Sequence, residues 1–587
     1  MMFKKVVQNK ERIQLEITGM TCDGCAAHME KLTNFVKGVL RSKVSYSEGK
    51  GEFIIDSNLT SKEAIVNAIN ASGNYKVVEK LENCDSANTE TYENKADCCT
   101  VKTTNGTSAT LVKGRSNSSS KSFDFIIVGG GSAAFSAAIK ANELGLNTLI
   151  VNDGLPIGGT CVNVGCVPSK YLIRAAESIH KASHSPFSGV TTQMPSVAFP
   201  KIIREKRALV EALRKKKYSN ILDRLEFVQT VKGFASFKDE KTIVVNGEQE
   251  YTAIKFLVAT GATTKIPPIS GLNEAPFLTN RSLFEMEKLP KSLIVLGGGY
   301  IALEIAQAYH RFGSKVTLLQ RSERILSKQS PDVSEEILKH LREDGLDVHT
   351  GQNFQRVAQR DGKIVVKTLH NGSPAEYSAT QLVVATGITP NTSKLGFEKA
   401  GLELTRSGHI KVNGQLETNN SRIFAAGDCI NTPAYVYTAA YEGNLAVENA
   451  FTSAGKSTNY DSMPWVVFTD PQVAGVGMDE REAERKGIPF EVNVFPLTEV
   501  PRSLAALDTR GFVKLIRNPE TDKLLGATIV AAEGSELTME LSMAIKYGIP
   551  VKELGESFHA YLTLSEAVKL AAISFGKDVS KLSCCAS

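Results

Sequence analysis

One pattern occurs twice in this sequence of 587 residues: a short apolar run, a Gly-x-Gly-x-x-Ala turn and then a helical pattern. In such a turn the first glycine permits the tight bend and the second lets the backbone approach a pyrophosphate, while the small third residue allows close helix–strand packing. The pattern therefore predicts two Rossmann-like, doubly wound domains that each bind a dinucleotide. The candidate cofactor contacts in the two turns are Gly129, Gly131, Ala134, Gly297, Gly299 and Ala302.

The residues after the second strand of each copy indicate which nucleotide is bound. An acid roughly 20 residues beyond the turn would bind a ribose hydroxyl. In the first copy this position holds Asn152, which can still bind a hydroxyl but departs from the usual pattern. In the second copy Gln320 precedes Arg321 and Arg324, and guanidinium groups match the 2′-phosphate of NADPH. The sequence predicts NADPH there, and ordinary surface arginines are the alternative.

The first part of the chain has a different organisation. Arg12–Thr18 alternates apolar and polar residues as a strand does, and a glycine-cysteine loop and a helical pattern follow. Two strand-like runs surround Gly49–Gly51, and Ala64–Ile69 and Tyr75–Val78 read as a helix and a strand. The order βαββαβ predicts a ferredoxin-like domain. Residues 83–122 are rich in Asn, Thr, Ser and Lys, which is typical of a flexible linker.

Charge and hydropathy exclude several classes of protein. The net charge of +5 is spread along the chain, without a basic tract for nucleic acid. No apolar run reaches the roughly 18 residues of a membrane span, and the first residues lack a signal-peptide core, so we expect a cytoplasmic protein. Eight of the ten cysteines form four close pairs. In a cytoplasmic enzyme such pairs indicate metal binding or redox chemistry.

The most specific element is Gly158–Lys170, in which Cys161 and Cys166 are separated by four residues at the start of a helix. The dipole of a helix N-terminus stabilises a thiolate, which makes such a dithiol reactive. The alternative is a pair of buried structural cysteines.

This segment resembles the redox motif of the flavin-dependent disulfide reductases, the family of glutathione reductase and dihydrolipoamide dehydrogenase. Ala259–Gly261, Ala385–Gly387 and Thr418–Asp428 resemble further motifs of that family, and the resemblance covers Phe123 to Ser587. It implies FAD, a nicotinamide cofactor and a homodimer whose active sites use both chains. It also implies that Cys166 lies nearer the flavin than Cys161. The implied FAD contacts are Gly159, Thr160, Gly261, Asp428 and the flavin-side ion pair Lys170–Glu304.

One position of this sequence differs from the disulfide-reducing members of that family. These carry a histidine five residues before a C-terminal glutamate, and its imidazole protonates the thiolate leaving group. Here Glu566 matches the glutamate, but the histidine position holds Tyr561. A phenol with a pKa of about 10 is a poor proton donor at neutral pH. His559 is offset by two residues and is the alternative acid.

The chain ends with vicinal thiols, Cys584 and Cys585, which suit a soft metal ion. The alternative is an accidental pair at the terminus. With Tyr561, this tail resembles the branch of the family that reduces thiol-bound Hg(II) with NADPH, in which tail cysteines of one subunit pass the ion to the cysteine pair of the other. Tyr218 resembles that branch's other active-site tyrosine, and its alternative is an ordinary helix residue.

The N-terminal loop carries Cys22 and Cys25, and Gly19–Cys25 resembles heavy-metal-associated domains. Two thiolates suit a linear two-coordinate ion, and the domain does not distinguish Hg(II) from Cu(I). Cys98 and Cys99 in the linker are a hypothetical relay or scavenging site, whereas Cys84 and Cys429 look incidental.

The sequence thus predicts a multidomain α/β enzyme that reduces Hg(II) to Hg(0) through FAD and Cys161–Cys166 and so confers mercury detoxification. A disulfide reductase that uses His559 and a metal-sequestering protein are the two rival functions. The predicted limits are a metal-binding domain 12–82, a linker 83–122, an FAD domain 123–266 and 388–461, an NADPH domain 267–387, and an α+β dimerisation domain 462–587.

Overall fold

The computed structural model describes residues 10–18, 20, 26, 29–30, 33–34, 36–71, 75–78 and 121–577. The chain separates into two units, Met1–Gly114 and Arg115–Ser587. Within the described residues, no helix combines the length and the apolar character that crossing a bilayer requires.

The N-terminal unit contains an antiparallel sheet built on alternating side chains. Its elements are β1 (Lys10–Thr18), β2 (Val39–Ser45), β3 (Lys50–Asp56), the helix Lys62–Ala71 and β4 (Lys76–Val78). Ile13, Leu15 and Ile17 alternate along β1 and are buried in the core of this unit. The strand order β2-β3-β1-β4 agrees with the predicted βαββαβ arrangement. In the predicted first helix, the described positions 26, 29–30 and 33–34 are helical.

The second unit begins with a seven-stranded sheet whose middle is parallel. Its strands are β5 (Ser122–Val128), β6 (Thr148–Asn152), β7 (Val228–Lys232), β8 (Ala235–Phe237), β9 (Thr242–Val245), β10 (Gln249–Val258) and the later β20 (Ile423–Ala425). The run Phe125–Val128 is buried on both faces, as expected for a central parallel strand. The helices of this part of the chain are Ser132–Glu143, Gly159–Val164, Cys166–Ser183, Phe199–Arg214 and the later Val436–Phe451, with a π-helical turn Lys215–Ser219 and the short helix Asn220–Leu222.

A second parallel sheet follows, in the order β14-β13-β12-β18. Its strands are β12 (Ser292–Leu296), β13 (Lys315–Leu319), β14 (Asp347–His349) and β18 (Gln381–Val384), with helices Asn280–Leu283, Tyr300–Arg311 and Pro331–Glu343. Beside it lie the antiparallel strands β15 (Gln352–Arg360), β16 (Lys363–His370) and β17 (Ser373–Ala379), and β11 (Ala262–Thr264) pairs with β19 (Ile388–Pro390). The sequence therefore predicted the strand–turn–helix pattern of both sheets correctly.

The last part of the unit is an antiparallel five-stranded sheet with helices. Its strands are β21 (Trp465–Val467), β22 (Gln472–Gly477), β23 (Glu491–Pro496), β24 (Phe512–Arg517) and β25 (Leu524–Ala531), in the order β21-β22-β25-β24-β23. Its helices are Glu480–Lys486, Pro501–Ala506, Thr538–Tyr547, Val551–Glu556 and Glu566–Ile573, with 3₁₀ turns at Leu497–Glu499 and Gly534–Leu537. This is the mixed α+β architecture that the sequence predicts.

The two glycine-rich turns owe their shape to a steric constraint. A Cβ atom on Gly129 (φ +128°) would stand 2.2 Å from the carbonyl oxygen of Ala259, and one on Gly297 (φ +123°) would stand 2.3 Å from that of Ala385. Only glycine permits this close approach of two backbone segments at positive φ. Each turn thereby directs the N-terminus of the following helix toward the carboxyl ends of the parallel strands, where doubly wound folds bind ligands.

Candidate active site

The main cavity of the second unit has a volume of about 670 Å³, a size typical of cofactor sites. Its wall combines residues from both parallel sheets and from the C-terminal domain. Of the residues predicted from sequence, it is lined by Gly131, Thr160, Cys161, Cys166, Lys170, Gly261, Gly299, Glu304 and Asp428. Residues that lie hundreds of positions apart are thus brought to one place.

Two consecutive helices present the cysteine pair to this cavity. Cys161 is half-buried in helix Gly159–Val164, whereas Cys166 is exposed and is the first residue of helix Cys166–Ser183. Buried Asn163 fixes the first helix, since its amide donates to the carbonyl oxygens of Pro156 (3.0 Å) and Gly159 (2.8 Å). No disulfide joins the two cysteines in this structure, so both sulfurs can act as ligands of a soft metal once they are deprotonated.

The two thiols differ in acidity. A hydrogen bond from Cys161 stabilises the Cys166 thiolate and, with the nearby Lys170 cation, lowers the pKa of Cys166 to about 7. The same hydrogen bond, together with burial, raises the pKa of Cys161. Above a pH of about 7 the pair therefore holds mainly one proton, which stays on Cys161. The family resemblance predicts that Cys166 is the cysteine nearer the flavin, and the lower pKa assigns the thiolate to the same residue.

Alkylation of Cys166 by iodoacetamide should accordingly rise with pH around a midpoint of about 7. In a Cys161→Ala variant the thiolate loses its hydrogen-bond donor, and the midpoint should move up toward the ordinary value of 9.0. Mass spectrometry of the Cys166 peptide after brief exposure at a series of pH values measures both curves. Identical midpoints in the two proteins would show that Lys170 and the helix terminus set the pKa of Cys166 without Cys161.

An ion pair forms another part of the cavity wall. Lys170 Nζ lies 2.8 Å from Glu304 Oε2 and 4.4 Å from the centroid of the Phe468 ring. The other carboxylate oxygen, Glu304 Oε1, accepts a hydrogen bond from the backbone N–H of Phe468 at 3.0 Å. Both oxygens of this nearly buried carboxylate are therefore occupied, and the Lys170 ammonium is held at the cavity surface. The structure thus pairs the two residues that the family resemblance implies.

Tyr218 lies beside the cysteine-bearing segment. It belongs to the π-helical turn Lys215–Ser219, and its ring packs edge-on against Phe135 at 4.8 Å between centroids. A Cβ atom on Gly158 would contact the Tyr218 ring at 3.1 Å, which places the tyrosine against the start of the cysteine motif. Burial and the charges of Cys161 and Cys166 raise the pKa of Tyr218, so its hydroxyl stays protonated. π-Helical turns often occur at functional sites.

Tyr561 and His559 do not line the cavity of their own chain. Tyr561 is half-exposed in the segment before helix Glu566–Ile573, and the backbone N–H of Leu562 donates to Glu566. His559 Nε2 lies 2.6 Å from Glu540 Oε1, and its Nδ1 lies 3.1 Å from the carbonyl oxygen of Ser557. Its ring is 6% exposed, and the bond to Glu540 raises its pKa. His559 is therefore engaged in a contact within its own domain.

The residues that are predicted to bind nucleotides differ in how deeply they are buried. Ala134 and Ala302 are fully buried and permit the close packing of their helices. Arg321 is exposed, and Arg324 is partly buried with an Nη1 atom that has no hydrogen-bond partner among the described residues. An unpaired buried guanidinium nitrogen fits an anionic ligand such as a phosphate. Asp428 is partly buried and lines the main cavity, and this burial raises its pKa.

Asn152 ends β6, and its side-chain amide is already engaged. Its Nδ2 donates to the carbonyl oxygen of Leu155 at 2.9 Å, and its Oδ1 lies 2.5 Å from the place where a Cβ atom on Gly130 would stand. The amide oxygen thus packs on the glycine turn, and it is the acceptor that remains for a ribose hydroxyl.

Several sequence candidates lie outside the described residues. They are Cys22, Cys25, Cys84, Cys98, Cys99, Cys584 and Cys585. Among the residues that are described, His, Cys, Asp and Glu form no group of three that could hold a metal ion. Cys429 is fully buried, and its thiol lies 3.3 Å from the carbonyl oxygens of Val258 and Ala426, in agreement with its incidental role.

Sequence reasoning missed an aromatic group in the cavity wall. The rings of Tyr435 and Tyr437 stack at 5.4 Å, and the ring of Tyr300 stacks on Trp465 at 6.0 Å. Tyr300, Tyr435 and Tyr437 line the cavity, and Tyr300 also accepts a hydrogen bond from Gln329 at 2.8 Å. The position of Tyr300 directly after the second glycine turn was the one available signal for these residues.

Comparison with known proteins agrees with this geometry. Residues 123–443 match the family model described as pyridine nucleotide-disulphide oxidoreductase, and residues 463–572 match that family's dimerisation domain. The chain belongs to the pyridine nucleotide-disulphide oxidoreductase family. The first match spans both parallel sheets, and the second spans the five-stranded sheet.

Within this family, the chain is similar over its whole length to proteins named mercuric reductase. It is 38% identical to the one from Lysinibacillus sphaericus, over 98% of this chain and 100% of the relative. It is 39% identical to the one from Staphylococcus aureus, over 99% and 100%. A solved structure, the Cu(II) complex of the HOCl-induced flavoprotein disulfide reductase RclA from Escherichia coli, superposes with a TM-score of 0.70 at 27% identity. The superposition covers 78% of this chain and 100% of the RclA chain.

Proposed function

We propose that this chain is an NADPH-dependent mercury(II) reductase that converts thiol-bound Hg(II) to Hg(0). The observation that carries the proposal is the free Cys161–Cys166 pair on the wall of the main cavity, in a chain whose full-length relatives are named mercuric reductase. Soft thiolates are the ligands that Hg(II) prefers, by the rule that matches soft ligands to soft ions. The physiological role is detoxification of mercury in the cytoplasm.

The cavity fits FAD and a nicotinamide nucleotide. Helices Ser132–Glu143 and Tyr300–Arg311 each begin after a glycine without a side-chain cap, so their first N–H groups can bind phosphate oxygens. Asp428 provides a cavity-lining acceptor for a hydroxyl of FAD, and Arg321 and Arg324 provide cations for the 2′-phosphate of NADPH. When bound, these two cofactors supply the two-electron transfer.

The chain's own residues bind and orient the metal ion. Cys166 offers a thiolate at neutral pH, and Cys161 must release its proton when it becomes the second ligand. Two electrons then reduce the ion to Hg(0), NADPH is oxidised to NADP⁺, and a proton is released. The Lys170 cation, held by Glu304, lies on the same wall and favours negative charge there. Tyr218, whose ring lies against Gly158 at the start of the cysteine motif, is proposed to steady the metal or the thiols.

The metal reaches this site from cysteines on other parts of the assembly. The dimerisation domain indicates a homodimer, and in our proposal Cys584 and Cys585 of one subunit pass Hg(II) to Cys161 and Cys166 of the other. Transfer between thiolates avoids release of the free ion. Tyr561, half-exposed in that domain, is proposed to contact the partner's site during delivery.

Three more sequence features receive proposed roles. The N-terminal domain captures Hg(II) through Cys22 and Cys25, and its four-stranded sheet supports the heavy-metal-associated arrangement. Cys98 and Cys99 form a relay between that domain and the catalytic part. The domain limits given above also belong to the proposal, supported by a separate main sheet in each of the four proposed folded domains.

A disulfide reductase of the same fold is the second candidate function. It needs an acid for the leaving thiolate, and His559 was the available residue. Its two ring nitrogens already contact Glu540 and Ser557 within the chain, which argues against that role. A purely sequestering protein is disfavoured because both glycine turns, the ion pair and the cavity are intact.

The delivery role of the tail predicts a large effect of a double variant. With Hg(II) in excess glutathione, Cys584→Ala/Cys585→Ala should lower NADPH oxidation at limiting metal by at least about tenfold, because capture by a tethered dithiol raises the local metal concentration. Ser583→Ala/Ser587→Ala is the matched control, since it alters the same tail without removing a thiol.

The loss of NADPH absorbance gives the rate of NADPH oxidation for both double variants and for the unmodified protein. Equal rates in both double variants would refute delivery by the tail. Oxidation of NADPH with oxidised glutathione, but not with Hg(II), would refute the proposed function itself. A parallel assay with Cu(II) tests whether the site also reduces another thiophilic ion.

A further inference from the structure

Gln307 is a buried polar residue that the proposed chemistry does not use. It lies on helix Tyr300–Arg311 and is 4% exposed. Its Oε1 accepts from the backbone N–H of Asp470 at 2.8 Å, while its Nε2 donates to the carbonyl oxygen of Asp470 at 2.8 Å and to Asp344 Oδ2 at 3.0 Å. The amide thus pairs with the Asp470 backbone as a neighbouring strand would. Such complete pairing of a buried amide fixes both partners.

Two other side chains of the same helix hold the same segment. Glu304, Gln307 and Arg311 are spaced three and four residues apart, so they share one helix face. Glu304 Oε1 accepts from the backbone N–H of Phe468 at 3.0 Å. Arg311 Nη2 lies 2.9 Å from Asp470 Oδ2. The link Phe468–Asp470, between β21 and β22, is therefore fastened along the helix at three points.

This segment in turn contacts both members of the ion pair. The Phe468 N–H orients the Glu304 carboxylate, and the Phe468 ring lies under Lys170 Nζ at 4.4 Å. A shift of Phe468 would release Glu304 Oε1 and move the surface on which the Lys170 ammonium rests. Gln307 fixes Asp470, two residues further along the chain, and so restrains Phe468.

We propose that Gln307 is a positioning residue that holds the Lys170–Glu304 pair in place through Asp470 and Phe468. The inference rests on the proposed function in one respect, since that function places this pair beside the flavin. Gln307 itself touches neither cofactor nor metal. It acts by keeping a segment of the C-terminal domain in register with the helix that carries Glu304.

The test is a Gln307→Met variant of the full-length, FAD-loaded protein. Methionine has a similar length but cannot form the three hydrogen bonds. Reduction of the flavin by NADPH, followed by stopped-flow absorbance without metal, should slow by about tenfold, equivalent to about 1.4 kcal/mol. The Kd for NADPH should stay within about twofold, and the flavin midpoint potential should become more negative, because a less well held cation stabilises reduced flavin less.

Gln355→Met is the matched control, because Gln355 is exposed on β15 and far from these contacts in the fold. Phe468→Leu removes the ring under Lys170 and should also slow flavin reduction. Since both changes act on one pair, the slowing in the Gln307→Met/Phe468→Leu double variant should be less than the product of the two single effects.

If the rate of flavin reduction and the flavin midpoint potential are both unchanged in Gln307→Met, the proposal is overturned, even if the Tm is lower. Gln307 would then have only a structural role. If Gln307→Met does not fold, an unchanged rate in Phe468→Leu overturns it instead. Because this half-reaction contains no Hg(II), its outcome is separate from that of the proposed function. Failure of the unmodified protein to reduce Hg(II) would refute that function and leave this measurement intact.

Discussion

A Cys166→Ala variant should lose Hg(II)-dependent NADPH oxidation by about a thousandfold or more, while NADPH still reduces its bound flavin. The variant lacks the thiolate that the Cys161 hydrogen bond and Lys170 stabilise, so the ion loses one of its two ligands at the cavity. The glycine turns and the Lys170–Glu304 pair are untouched, and we expect flavin reduction to stay within about threefold. Steady-state assays and stopped-flow absorbance measure the two reactions separately.

Cys429→Ala is the matched thiol deletion, because Cys429 is fully buried and does not line the cavity. It should lower stability by about 1 kcal/mol, as the loss of a small buried group does, and leave turnover within about twofold. Turnover that survives in Cys166→Ala would mean that the metal is reduced elsewhere, for example at another cysteine pair. Loss of flavin reduction in the same variant would mean that Cys166 supports cofactor binding, not metal binding.

Much of the site could be predicted from sequence because its residues belong to local motifs. Cys161 and Cys166 share one short segment, and each glycine turn is recognised from six consecutive positions. The pairing of Lys170 with Glu304 spans 134 positions, and it came from the family resemblance alone. Parallel strands of a doubly wound sheet end at the same edge, which explains why distant motifs meet in one cavity.

The contacts of Gln307 could not be predicted in the same way. Gln307 meets Asp470 across 163 positions, and helical periodicity marks it only as a residue facing a neighbour. The stacked Tyr435 and Tyr437 also lack a local signal, since aromatic residues at the start of a helix usually pack in the core. The π-helical turn that carries Tyr218 depends on an insertion in backbone hydrogen bonding that no residue type encodes.

The glycine turns provide a prediction that separates the two nucleotide sites. A Gly129→Ala methyl group would meet the Ala259 carbonyl oxygen at 2.2 Å, at a φ of +128° that L-residues rarely adopt. We expect FAD binding to weaken by at least about a hundredfold, because the turn must open by a costly backbone shift. Gly297→Ala creates the same conflict with Ala385, at 2.3 Å, in the other sheet. That variant should retain FAD, whereas its KM for NADPH should rise by a similar factor.

Gly145→Ala serves as the control for both variants, because Gly145 also has a positive φ (+70°) but nothing lies within 4 Å of its added Cβ. It should lower stability by about 1 kcal/mol and leave both nucleotide affinities unchanged. Flavin absorbance per protein after gel filtration measures FAD content, and steady-state kinetics give KM. If Gly297→Ala lost FAD as completely as Gly129→Ala, the two turns would not serve separate nucleotides. If Gly145→Ala lost it too, positive φ alone, and not the contact with the crossing carbonyl, would explain the effect.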